Sequence, residues 1–229
     1  MSRKCGLIVF HHIHPYPPHI LSNTTRLIVG TLPPPRFSKG ELNDQDVDFC
    51  YGSSNGMLWK IWDRLYDLDL VFENTHFAIE QRKAFLKREQ IGICDIVHSA
   101  YREKIDASDL GMQQPELRDL LGVLEQHPKI KTLIFTGGNS KNGPEYFFRK
   151  LLKKAEITLD CLNDHPPRKH HFHWAGRSIV TFSLTAPSGA ANRAIGSLSA
   201  YKEAKERDPK YTPLDFRMEQ YGKVFKGEY

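Results

Sequence analysis

Leu27-Ile28-Val29-Gly30-Thr31-Leu32-Pro33-Pro34-Pro35 carries the strongest fold signal in the chain. An apolar run with no polar alternation predicts a strand buried on both faces, as in a parallel sheet covered by helices. The run stops at a glycine, which lets backbone turn sharply or approach a ligand closely. Three prolines then stiffen the exit and remove backbone donors. The same grammar recurs late in the chain. Residues 178–184 form a second apolar run, and Ala186-Pro187-Ser188-Gly189-Ala190-Ala191-Asn192 follows it. In an open α/β sheet, the loops at the carboxyl ends of strands build the ligand crevice. The two loops are therefore expected to meet in space, although most of the chain separates them.

The remaining pattern fits around this pair. Strands are expected at residues 26–31, 91–97, 130–136 and 178–184. Helices are expected at 57–68, 74–88, 115–126, 144–154 and 192–207, from apolar residues at helical spacing such as Leu58, Ile61, Trp62 and Leu65. Pro115 is placed in a first helical turn, where proline is tolerated. Strands alternating with helices predict an α/β fold: a three-layer α/β/α sandwich with a central, mostly parallel four-stranded sheet. One domain, 1–229, is expected. Residues 1–24 read as an N-terminal arm, 33–55 as a long polar loop, and 207–229 as a tail whose aromatics Tyr211, Phe216, Tyr221 and Phe225 pack onto the domain.

Composition bounds the function. The 229 residues include 32 Lys/Arg and 27 Asp/Glu, a net charge of +5, and 40% hydrophobic residues. Residues 151–229 hold 13 Lys/Arg against 9 Asp/Glu, so most of the excess lies there. That balance is compatible with a phosphate-contacting face. No apolar run approaches a membrane span, and the short run before His11 and His12 stops well short of a signal-peptide core. A cytoplasmic chain with no membrane partner is the expectation. Cys5, Cys50, Cys94 and Cys161 are scattered, with no C-x-x-C pair, and read as free thiols, not disulfides or iron–sulfur ligands.

Several residues offer chemistry. Phe49 and Tyr51 present flat faces on which a base can stack, or else anchor their loop. Asn55 carries both a carbonyl and an amide, suited to holding water or reading a polar edge, or to a turn with Gly56. Trp59 opens the next helix and reads as core. Ser188 and Asn192 are candidate donors to phosphate; Asn192 is equally placed as a helix cap. Arg193 meets either phosphate or solvent. Asp44, Asp46 and Asp48 read as a solvated acidic stretch, with water activation as their alternative role. The run His165-Pro166-Pro167-Arg168-Lys169-His170-His171-Phe172-His173-Trp174 reads as a basic hairpin edge or plain surface. His171 and His173 share one face, and no carboxylate or cysteine set is seen to complete a metal site. His11, His12 and His14 receive the same reading.

Taken in order, these motifs resemble the uracil-DNA glycosylase superfamily. Pro187-Ser188-Gly189, with Ala194 five residues on, is similar to the DNA-intercalating motif of its mismatch-specific branch. Residues 91–97 and Phe135-Thr136-Gly137 resemble the second and third motif strands of its hypoxanthine branch. Asp46-Val47-Asp48-Phe49-Cys50-Tyr51-Gly52-Ser53 resembles a bacterial group of the same superfamily. The resemblance spans roughly residues 14–205. It implies a monofunctional enzyme, probed best with DNA, that flips out a deaminated base, uracil or hypoxanthine, and hydrolyses its N-glycosidic bond without cofactor or metal, as a monomer.

The resemblance also implies roles. Asn55 is the catalytic candidate. Gly30, Thr31, Leu32, Phe49, Tyr51, Thr136 and Asn139 are the base-binding candidates. Pro187, Ser188, Gly189, Asn192 and Arg193 are the DNA-binding candidates. Three positions depart from the pattern. Leu32 stands where the mismatch-specific branch has asparagine. Asn55 lies four residues before Trp59, where the hypoxanthine branch spaces its asparagine by three. Thr136 replaces a base-reading asparagine. Two alternatives therefore stay open: a non-catalytic nucleic-acid-binding homologue, and a nucleoside or nucleotide hydrolase using the same crevice.

Overall fold

The computed structural model describes residues 10–228. Among these residues nine strands form two sheets. The central sheet has six strands in the order β3-β2-β6-β9-β8-β7. They are β2 (Arg26–Val29), β3 (Ile91–Ile93), β6 (Thr132–Phe135), β7 (Asp160–Asn163), β8 (Arg168–Trp174) and β9 (Arg177–Ser183). The four expected strands, β3, β2, β6 and β9, run parallel. An antiparallel hairpin extends them, with β8 on β9 and β7 on β8.

Alternate residues of the parallel strands feed opposite cores. Ile28, Ile134 and Phe182 join one apolar cluster, and Leu27, Val29, Leu133, Phe135 and Ile179 join the other. On the first face lie α2 (Leu58–Tyr66), α3 (His76–Arg88) and α8 (Pro213–Phe225); on the second lie α4 (Leu120–Gln126) and α5 (Pro144–Lys154). This is the three-layer arrangement the apolar runs imply. Local chemistry fixes the helix ends. Thr75 accepts from the Ala78 amide at the start of α3, Asp119 accepts from Gly122 at the start of α4, and Thr212 with Asp215 forms a capping box on α8. Among the described residues no helix is long and apolar enough to cross a membrane.

The second sheet is where the sequence reading needs correction. Its order is β1-β4-β5: β1 (Phe10–Ile13), β4 (Val97–Arg102) and β5 (Gln113–Leu117), all antiparallel. Part of the expected arm is thus strand β1, while residues 1–9 lie outside the described residues. The strand expected at 91–97 ends at Ile93, and the chain then crosses to β4. Pro115 sits in β5, an edge strand, where a missing N–H costs no ladder bond; α4 begins only at Leu120. The helix expected at 192–207 is two, α6 (Asn192–Ser197) and α7 (Ser199–Arg207), broken by extended backbone at Leu198. The loop expected at 33–55 holds a short helix, α1 (Pro35–Lys39). The histidine-rich segment is β8 and not an edge, because β7 covers it.

Candidate active site

The carboxyl ends of all four parallel strands meet at one cleft of about 690 Å3. Thr31 to Pro34 follow β2, Asp95 follows β3, Thr136 follows β6, and Ala186 to Ala190 follow β9; all line the cleft. The strand order reverses at β2, with β3 on one side and β6 on the other, which is where α/β sheets open a crevice. The two loops expected to meet both line this cleft. The later one is also tied to the segment that leads into α2: Met57 N donates to Pro187 O at 2.8 Å, and Gly56 pairs with Ser188 in an isolated bridge.

Backbone pairing continues past the strand ends and sets the floor. Ile96 N donates to Gly30 O at 2.9 Å, and Thr136 N donates to Val29 O at 3.0 Å. Asp95 and Thr136 are thereby brought to either side of Gly30. Asp95 Oδ1 accepts from Gly30 N at 2.7 Å and from the Tyr51 hydroxyl at 2.8 Å. The Tyr51 oxygen lies 3.1 Å from Thr136 Oγ1. A carboxylate only accepts, so the phenol proton belongs to Asp95 and Thr136 donates to Tyr51. The Thr136 oxygen then keeps its acceptor capacity for a group in the cleft. Burial first, and then the Asp95 charge, push the Tyr51 pKa well above its ordinary value, so the phenol stays a donor.

Gly30 makes this convergence possible. A Cβ there would lie 2.8 Å from Asp95 Oδ1, 2.9 Å from Thr136 Oγ1, and closer still to the Tyr51 hydroxyl. Tyr51 itself has φ 59, a left-handed conformation that costs a non-glycine residue about 1 kcal/mol. Its buried hydroxyl bonds hold it there. Asp95 Oδ2 is bonded to His14 Nε2 at 2.9 Å, and His14 Nδ1 accepts from Tyr16 N at 3.1 Å. The ring proton is therefore on Nε2 and points at Asp95.

A second carboxylate enters from the other sheet. The β4–β5 connection brings Asp109 into the cleft wall, where it accepts from Thr31 Oγ1 at 2.7 Å. Arg102 Nη1 donates to Ser108 O and Asn142 Nδ2 to Asp109 O, which fix this connection. Burial raises the Asp109 pKa to about 6; the Thr31 bond and Arg102 oppose the rise, and Asp95 adds to it.

The long loop before α2 is built around Asp46, which is fully buried. Arg36 donates to both of its oxygens at 2.7 Å, and Asn43 N and Ser54 N complete the set. Burial alone would raise this carboxyl, but Arg36 and the two amides hold it well below the usual carboxylate range. The solvated reading of Asp46 is thus corrected: it is the pin of the loop that carries Ser53, Ser54 and Asn55 to the cleft. The 186–192 loop has its own pin. Arg217 of α8, fully buried, donates to Ala186 O at 2.9 Å, Ser188 O at 2.7 Å and Asn192 Oδ1 at 2.8 Å.

Of the expected site residues, Thr31, Leu32, Tyr51, Asn55, Thr136, Pro187, Ser188 and Gly189 line the cleft. Asn55 is exposed at its lip. Five are placed otherwise. Gly30 lies beneath the floor with its amide taken by Asp95. Phe49 is core, edge-on to His19 and tilted against Trp59. Asn139 is exposed and does not line the cleft. Asn192 accepts from Arg217 and makes no side-chain cap. Arg193 is exposed on α6, off the cleft lining. His14, Asp95, Asp109 and Arg217 were missed. Their contacts reach across 81, 65, 78 and 31 residues of chain, beyond any local signal.

The fold comparison bears on this cleft. No protein-family model matches the sequence, and no curated protein matches it. A solution NMR structure of a "putative Uracil DNA glycosylase" from Methanosarcina acetivorans aligns with a TM-score of 0.51 at 18% identity, over 92% of this chain and 99% of that one. The two chains share a fold. A central, mostly parallel sheet flanked by helices is common to both, and the cleft at its carboxyl end is where such a fold places chemistry.

Metal ligands have one candidate set among the described residues: Cys161, Asp164 and His170 have ligand atoms within 4.8 Å of one another. A cysteine and a carboxylate thus do stand by the histidine run, a set the sequence did not reveal. Arg149 Nη2 lies 2.8 Å from His170 Nε2 and can only donate, so that nitrogen accepts and the proton sits on Nδ1. Arg168 holds Asp164 Oδ1 at 2.9 Å. Both groups serve as arginine acceptors, which leaves no free lone pair on the ring for a metal.

Proposed function

We propose that the protein is a DNA glycosylase that hydrolyses the N-glycosidic bond of a flipped, deaminated base, uracil or hypoxanthine. The observation that carries this reading is the ordered chain from Thr136 through Tyr51 to Asp95 on the cleft floor. It leaves an acceptor oxygen on Thr136, which matches the N–H that deamination places on the pairing edge of uracil or hypoxanthine. Cytosine and adenine present a lone pair at that position and would face acceptor with acceptor. Leu32 and Thr31 flank the base, and Asn55 at the lip holds the attacking water through its amide. Pro187, Ser188 and Gly189, fixed by Arg217, meet the phosphate backbone beside the flipped nucleotide, with Arg193 toward the flanking phosphates. The shared fold of the archaeal structure supports the same reading.

Binding to uracil-containing and normal duplexes, titrated with salt, tests it together with turnover. Phosphate contacts predict affinity that falls steeply as salt rises. Asn55→Ala is expected to abolish base release and leave that binding intact. Full activity in Asn55→Ala would remove Asn55 from the reaction. Hydrolysis of free nucleosides with no salt dependence would replace the DNA reading.

A further inference from the structure

The geometry points to Asp109 as the catalytic carboxylate of this cleft: it faces the sugar of the flipped nucleotide, offsets the charge that develops there, and takes the proton of the attacking water. This inference rests on the glycosylase reading.

Departure of a base from its sugar leaves positive charge on the sugar ring, and an anionic group in a site shielded from water stabilises that charge. Two carboxylates line the cleft, Asp95 and Asp109. Both oxygens of Asp95 already hold protein donors. Its Oδ1 holds Gly30 N and Tyr51, and its Oδ2 holds His14. Asp109 uses Oδ1 for Thr31, and no protein donor meets its Oδ2 among the described residues. Asn55 can hold water but its amide cannot take a proton. The Leu32 side chain, beside Thr31, has no polar atom. Among the described residues Asp109 therefore supplies the cleft carboxylate oxygen that no protein donor meets, open to a substrate or a water.

The step balances. The C1′–N bond breaks with its electron pair leaving on the base. Water forms the new C1′–O bond and gives one proton to Asp109, which passes it to solvent. The base anion takes a proton from solvent, so the products are an abasic site and a free neutral base.

The charged groups around Asp109 come from three elements. Arg102 of β4 and Asp106 of the same connection form an ion pair at 3.6 Å. Asp95 stands across the floor, and Thr31 donates from the β2 loop. Burial is the largest influence and raises the carboxyl to about 6, while Thr31 lowers it. Ionised Asp109 is the active form, so the rate is expected to rise with pH through about 6 and then level.

Single-turnover cleavage of uracil- and hypoxanthine-containing oligonucleotides by the full chain, its Asp109→Asn and its Thr31→Val variants, across pH, tests this. Expected is a rate for Asp109→Asn lower by roughly a hundredfold or more, the span of general-base contributions, with binding unchanged and no inflection near pH 6. Thr31→Val, which removes the lowering bond, moves the wild-type inflection to higher pH. An active wild type whose inflection neither variant moves overturns the Asp109 assignment alone. A folded wild type that cleaves neither lesion overturns the glycosylase reading, and the Asp109 assignment with it. Should Asp109→Asn not fold, the Thr31→Val profile decides.

Discussion

Replacing Asp109 with asparagine is expected to make the protein more stable at neutral pH. The carboxyl has an ordinary value of 3.8 and is raised to about 6 in the fold, chiefly by burial. Well below pH 4, folded and unfolded chains both hold the proton, and the substitution changes little. As pH rises from there to about 6, the unfolded chain loses its proton while the folded site keeps it, so the wild type loses stability. Above about 6 both are ionised and the deficit is complete. A shift of about two pH units at about 1.4 kcal/mol each gives a deficit of up to about 3 kcal/mol. Asparagine, neutral at every pH, escapes it. Urea unfolding of both proteins from about pH 4 to about pH 8 measures the gap. It should open between pH 4 and pH 6, then stay flat, with a melting point higher by several degrees at pH 8. A variant less stable than wild type at pH 8, or a gap independent of pH, would show that burial does not raise the Asp109 carboxyl. A stabilised but inactive variant is the signature of a group kept for chemistry at a cost to the fold.

Asp46→Asn breaks the buried pair with Arg36 and should lower stability at neutral pH by roughly 3 kcal/mol. Because Asp46 is held below the usual carboxylate range, its contribution is lost as pH falls, so the urea-unfolding deficit should shrink in acid. Arg217→Met removes the donors that hold Ala186, Ser188 and Asn192; amide hydrogen exchange across residues 186–192 should quicken and DNA affinity drop, with circular dichroism unchanged. Gly30→Ala drives a methyl group into Asp95, Tyr51 and Thr136, an overpacking cost of about 1–3 kcal/mol, and should leave a folded protein without base release.

What the sequence made legible follows from where the residues are buried. The four parallel strands are covered on both faces, so they appear as mainly apolar runs, and the glycines and prolines that follow β2, β6 and β9 mark the cleft. Helix α5 is bounded by Pro144 and by Lys153 and Lys154 in its last turn, and its extent could be read directly. The second sheet left no such mark. β4 reads Val-His-Ser-Ala-Tyr-Arg, and β5 is interrupted by Pro115, so neither shows a clean period of two. Phe49 and Tyr51 look alike as stacking aromatics. A tight turn, with Val47 N on Gly52 O and Gly52 N on Phe49 O, sends Phe49 into the core and Tyr51 to the floor. His14, Asp95, Asp109 and Arg217 owe their places to contacts between distant segments. His12, read as surface, is buried against Arg102, and burial together with Arg102 and His14 lowers its pKa to about 4.

Release of a deaminated base from DNA is the activity proposed for this cleft. Its most direct test is incubation of the purified chain with labelled oligonucleotides carrying a single uracil, hypoxanthine or xanthine, followed by alkali to break abasic sites. Strand breaks at one of these lesions, and none at cytosine or adenine, are the predicted result. Intact strands across the whole panel, from protein shown to be folded, would contradict it.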